Sequence, residues 1–357
     1  MEIPRELIHR LPKTDLHIHL DGSLRPSTLL ELGETCHVEM PFTSPEGIRT
    51  YLSKAAAGDL KHYLSVFDLT LSVMQSEETL RRLAYELAVD AARENVRYME
   101  VRFSPILHER NGLTWSKIVQ AVLDGLREAE DRYVIRTGVI LCGIRTMTPA
   151  MSLQLADTTV SFKDNGVVGF DLAGAEKDYP AKDHLEAFYR IRNSNVSSTV
   201  HAGEDFGPPS IHQAIHYCGA HRIGHGTLLW QDRDLMNYVN DHRIPLEMCL
   251  TSNVQIGVAP NIREHPFRLY FEAGLRVTLN TDNRLISDTT MTAELDLACR
   301  NFHLSVYDLR GILINGFKSA FLPHREKVTL LRSAIDDMDR LFEEYFPGSY
   351  RRLRSFI

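Results

Sequence analysis

Eight short runs rich in β-branched and other apolar residues recur along the 357-residue chain, with helical patterns between most of them. They are TDLHIHL (14–20), RYMEVRFSP (97–105), VIRTGVILCGI (134–144), GVVGFDLAG (166–174), SSTVHAGE (197–204), RIGHG (222–226), PLEMCLTSN (245–253) and RVTLNTD (276–282). The segments between them carry helical spacing. Leu80, Leu83, Leu87 and Ala91 form one stripe, and Ile118, Val122 and Leu126 form another. Strand–helix alternation of this kind builds parallel βαβ units, whose sheet is covered on both faces and therefore reads as nearly continuous apolar strands. Eight such units favour closure into a (β/α)8 TIM barrel. An open doubly wound sheet would be expected to carry a GxGxxG turn after its first strand, and the chain has none there. The stretch 21–96 is too long for one crossover helix, so two or three helices are expected over the barrel mouth, and further helices after the eighth strand. No repeat or linker interrupts residues 1–357, which read as one α/β domain.

A formal net charge of −7 lacks the clustered positive excess that nucleic-acid phosphates require. An uncharged nucleoside is not excluded. Five scattered cysteines with no CxxC pair suggest neither a disulfide framework nor a thiolate metal site. With no apolar run long enough for a leader or a membrane span, a cytoplasmic protein with no membrane partner is expected. The oligomeric state is not legible.

The first strand puts His17 and His19 on one face, because side chains at i and i+2 of a strand share a side. Other strands also finish in residues that a packed core would not choose: DLAGAE, HAGE, GHG and NTDN. In a parallel barrel all these ends open on one face, where catalytic residues collect. His17, His19, His201, Glu204, His225 and Asp282 should therefore surround one pocket. Taken singly, His201 and His225 read as well as hydrogen-bonded structural histidines, and Asp282 as a helix cap. Together they suit a divalent transition metal bound by three imidazoles and a carboxylate, zinc first, with iron, cobalt or manganese not excluded by the sequence. Two-metal sites on this barrel usually bridge their ions with a modified lysine on the fourth strand. That strand has no lysine, with Lys163 and Lys177 outside it, so one ion is expected.

TDLHIHLDGSL, YMEVRFSP, DLAGAE, HAGE, RIGHGT, LTSN, LNTDN and SAFLP, in that order, closely resemble the adenosine deaminase family of zinc-dependent purine deaminases. The resemblance implies one Zn2+ per chain, held by His17, His19, His201 and Asp282. It implies Glu204 as proton donor to the purine, and His225 with Asp282 beside the attacking water, accepting its proton. His225 would also stabilise the developing negative charge. The substrate contacts it implies are His19, Asp21 near the ribose (a residue that reads equally as a helix cap) and the Gly174 backbone near purine N3. Glu204 should then have a raised pKa, and Gly203 should permit the sharp turn that aims it. One departure stands out. Asn283 follows the metal aspartate where many members have a second acid at N7, and Arg284 stands where proline is frequent. An asparagine amide donates at any pH, so the N7 contact is expected to survive. The implied reaction is deamination of adenosine and 2′-deoxyadenosine to the inosine products. The alternative is adenine or a modified adenosine such as aminofutalosine. Leu64, Phe67, Leu71 and Met74 form a helical stripe that reads as an apolar gate over the ribose or as plain packing.

Overall fold

A computed structural model describes residues 2–58 and 60–351. Eight parallel strands follow one another in chain order around a nearly closed barrel. They are β1 (Lys13–His19), β2 (Val96–Phe103), β3 (Arg136–Ile144), β4 (Val167–Ala173), β5 (Ser197–Ala202), β6 (Arg222–His225), β7 (Leu246–Met248) and β8 (Val277–Leu279). Between β8 and β1 the seam is closed beyond the end of β8. Asp282 donates its N–H to the His17 carbonyl at 2.8 Å and accepts from His19 N–H at 2.7 Å. Lower down, the Asn280 side chain accepts the Leu16 N–H at 2.9 Å. The same backbone bonds that close the barrel thus fix Asp282 against the two histidines of β1.

The helical stripes pack as their spacing requires. Leu80, Leu83, Leu87 and Ala91 are buried on the helix Glu77–Arg93, whose start is held by a Ser76–Thr79 capping box. Ile118, Val122 and Leu126 are buried on Trp115–Arg132, capped by Thr114. Helices also follow β8, ending with Val306–Ser319 and His324–Tyr345.

Three expectations change. The run 245–253 is strand only to Met248 and becomes the helix Leu250–Gln255. The Glu294 carboxylate accepts the Thr251 N–H at 3.2 Å, satisfying one of the helix's free donors from 43 residues away. Likewise 276–282 is strand only to Leu279, and Asp282 takes a left-handed conformation at φ 60°. Among the described residues, the segment after β1 holds five helices rather than two or three: Pro26–Thr35, Pro45–Ala55, Leu60–Ser65, Phe67–Ser72 and Glu77–Arg93. The stripe at 64–74 is accordingly split at Val66.

The strands are less purely apolar than expected, because buried charges sit inside the barrel. Arg102 on β2 bonds Asp171 of β4 at 2.9 Å, Glu247 of β7 at 2.8 Å and the Leu16 carbonyl at 2.7 Å. Arg222 on β6 pairs with both Glu247 and Glu100, and its third bond goes to the Ser319 carbonyl at 2.8 Å. Each charge here has a hydrogen-bonded opposite, which is the condition under which burial is tolerated. No helix among the described residues is long and apolar enough to cross a membrane.

Candidate active site and metal centre

A cavity of about 270 Å³ opens at the C-terminal ends of the strands. It is bordered by His19, Asp21, Gly174, His201, Glu204, His225, Asp282 and Asn283. All of the expected site residues therefore reach this one place except His17, which lies directly beneath it, wholly buried. Its ring is 4.5 Å from that of His201 and 4.7 Å from that of His225, centre to centre.

The ligand atoms of His17, His19, His201 and Asp282 all lie within 4.8 Å of one another. Asp282 Oδ1 is 3.3 Å from His17 Nε2 and 3.4 Å from His19 Nε2, and the Nε2 atoms of His19 and His201 are 3.2 Å apart. The proton positions follow from the outer partners. His17 Nδ1 donates to Glu247 at 2.8 Å and His201 Nδ1 donates to Asp171 at 3.0 Å. Both Nε2 lone pairs consequently face inward, toward each other's neighbourhood and the Asp282 carboxylate. His17 Nε2 is buried and finds no hydrogen-bond partner among the described residues. Burial disfavours charge on His19 and His201 and lowers both pKa values, which keeps these two imidazoles in their ligand form. At His17 burial and Arg102 act the same way, but the carboxylates of Asp282 and Glu247 outweigh them and raise its pKa, so an incoming cation would take the place of a proton there. Acceptors converging in this way call for a cation, and the carboxylate–histidine pairs behind them are the usual support of a metal site. The donor set fits zinc.

Glu204 faces the same cavity, with Oε1 3.4 Å from His225 Nε2. Burial first, and then the nearby charges of Asp282, Glu176 and Asp205, hold its carboxyl well above the usual range, as expected of a proton donor. Its aim comes from the turn. Gly203 has φ 72°, and a Cβ there would sit 2.4 Å from Ile211 Cδ1. Glu176 then accepts the N–H groups of Gly203 and Glu204 at 3.1 and 2.8 Å. Gly174 has φ 97°, so backbone conformation asks for glycine there; a Cβ would meet only ordinary contacts with Ile144 and Arg145. Asp21 is pushed up to about 7 by burial and leaves one carboxylate oxygen without a partner among the described residues. Asn283 is held by the segment above it, Nδ2 donating to Tyr63 Oη at 2.8 Å. Leu64, Phe67 and Leu71 line the cavity, whereas Met74 is buried elsewhere. The stripe thus serves both as cover and as packing.

Arg102, Asp171, Glu247, Glu176 and Asn253 support the site without having been expected there, although each lies in one of the strand runs or motifs named above. Arg102, Asp171 and Glu247 carried a signal, a full charge inside an apolar strand.

Residues 12–338 match the family model described as adenosine deaminase. An adenosine deaminase of Mycobacterium leprae is 42% identical over 92% of this chain and 96% of its own length. A probable adenosine deaminase of Dictyostelium discoideum is 39% identical over 96% of this chain, which spans 44% of that longer protein. Among solved structures, an Arabidopsis N6-mAMP deaminase superposes with a TM-score of 0.83 at 28% identity, covering 93% of this chain and 99% of that one. Placed beside a cavity that gathers three imidazoles, a carboxylate and a glutamate whose pKa burial raises, these matches show that the chain belongs to the adenosine deaminase family of metal-dependent hydrolytic enzymes.

Proposed function

We propose that the protein hydrolyses adenosine and 2′-deoxyadenosine to inosine and 2′-deoxyinosine with release of ammonia, using one zinc ion per chain. The observation that carries this reading is the convergence of His17, His19, His201 and Asp282 beneath a cavity that also receives Glu204 and His225. Zinc, when bound, would make a hydroxide nucleophile available from water at neutral pH.

The rest of the work falls to the chain. The purine ring resists attack at C6 until N1 is protonated, and Glu204 in its acid form supplies that proton. Asp282 and His225 flank the position of the incoming oxygen. Ammonia leaves with a proton relayed through the site. The Gly174 backbone meets N3, and one of the two Asn283 amide N–H groups remains for N7 while the other holds Tyr63. Asp21 meets the ribose under the cover of Leu64, Phe67 and Leu71. Five unpaired cysteines suit a reducing cytoplasm.

The second reading keeps the chemistry and changes the purine to adenine or an elaborated adenosine. It draws on Asn283 in place of an acid and on the fold shared with a deaminase of N6-methyl-AMP. Loss of ultraviolet absorbance on adenosine, 2′-deoxyadenosine, adenine and 5′- or N6-substituted adenosines separates the two. Adenosine and its 2′-deoxy form are expected to turn over fastest. Negligible turnover of adenosine beside rapid turnover of another purine would decide for the second reading.

A further inference from the structure

Behind His225, on the side away from the cavity, lies a buried chain of hydrogen bonds with one fixed end. That end is the backbone N–H of Phe267, which can only donate, and it lies 3.1 Å from His265 Nδ1. His265 Nδ1 is therefore an unprotonated acceptor, and the ring's proton sits on Nε2. Burial pushes the pKa of this ring down to about 3, so it stays neutral. His265 Nε2–H donates to Asn253 Oδ1 at 3.1 Å, and the Thr227 hydroxyl donates to the same oxygen at 3.0 Å. This resolves the usual ambiguity of an asparagine amide, since turning it round would set its N–H against the proton on His265. Asn253 Nδ2 is thereby left facing His225 Nδ1 at 3.0 Å, and it donates. Asn253, Thr227 and His265 are all buried, so no solvent competes for these bonds.

We infer that Asn253, with His265 behind it, is a positioning pair that fixes His225 as an Nε2–H hydrogen-bond donor toward the cavity. Nε2 of His225 is buried and has no hydrogen-bond partner among the described residues. A nitrogen that already carries its proton cannot remove another from the attacking oxygen. On the proposed deaminase reading, Asp282 is then the acceptor, and His225 donates to the oxygen as it gains negative charge. Both services assigned to His225 from sequence are thus separated, and only the second remains.

Nitrogen-15 spectra of the histidine rings in the zinc-loaded protein test this without substrate. Nδ1 of His225 is expected to be unprotonated and Nε2 protonated. Asn253→Asp replaces the amide donor by an acceptor, and should move the proton to Nδ1. With zinc content unchanged and KM within a few-fold, kcat on adenosine should fall by about 10²–10³-fold, the cost typical of losing one charge-stabilising donor. A proton on Nδ1 of His225 in the parent protein would overturn the inference even if no Asn253 variant folds. So would an Asn253→Asp protein with parental kcat. A parent that shows the expected ring protonation yet leaves adenosine and the other purines untouched would support the wiring and defeat the deaminase reading, so the two fail separately.

Discussion

Replacing Glu204 by glutamine is expected to lower kcat on adenosine by roughly 10²–10⁴-fold, the range for removing a positioned general acid. Glutamine matches the shape and can donate a hydrogen bond, but it has no proton to give to N1. Zinc content should not change, because Glu204 stands outside the set of four ligand residues. Stability should hold or rise, since a carboxyl held well above its usual pKa by burial is a group the folded state does not favour in charged form. The pH dependence carries the sign of the mechanism. The acid form is the active one, so parental turnover should be full below the raised pKa of Glu204 and fall as pH rises through it. The glutamine variant should lose that descending limb. Parental kcat in Glu204→Gln, or an unchanged alkaline limb, would remove Glu204 from the chemistry.

Arg102→Met is expected to cost about 3–5 kcal/mol of stability. Yet Arg102 does not line the cavity, and its side-chain bonds go to Asp171, Glu247 and the Leu16 carbonyl rather than to a proposed metal ligand's side chain. Its guanidinium joins the two carboxylates that hold His17 and His201, and all of these side chains are wholly buried apart from the slightly accessible His201. Without the arginine, Asp171 and Glu247 lose a shared cation; Glu247 keeps Arg222, whereas Asp171 keeps only His201, the Cys142 thiol and the N–H of Leu172. Burial then pushes the Asp171 proton affinity up, and its hold on the His201 tautomer weakens. Metal affinity is expected to fall by about 10–100-fold, as it does when outer partners of ligating histidines are lost. Thermal melts and competition against a chelator measure the two effects separately. A variant that melts with the parent and keeps its zinc equally well would show that the pairs contribute nothing beyond filling the barrel.

The contrast between these two residues marks what was legible in the sequence. Glu204 stood at a strand end beside a glycine, and the barrel places every such end on one face, so His17, His19, His201, Glu204, His225 and Asp282 could be assigned to one pocket from their position in the alternation. Asp21, Gly174 and Asn283 rested instead on the family resemblance. The strands themselves were legible for the same reason, in that near-continuous apolar runs separated by helical stripes admit few other architectures. Leu250–Gln255 was not, because the six residues LTSNVQ are too few to show either period, and the Glu294 carboxylate that accepts the Thr251 N–H lies 43 residues away. Arg102, Asp171 and Glu247 announced themselves only as charges where none belonged. Their partners lie on neighbouring strands and become visible only with the register. Asn253 carried no signal of its own, since its meaning depends on Thr227, His265 and the backbone of Phe267.

The most direct measurement follows zinc content and adenosine turnover together while the purified protein is stripped by a chelator and then reloaded. One ion per chain is expected, with turnover falling in proportion to its removal and returning on restoration, and with Asp282→Ala unable to recover. A metal-free chain that deaminates adenosine at the parental rate, or two tightly held ions per chain, would contradict the site formed by His17, His19, His201 and Asp282.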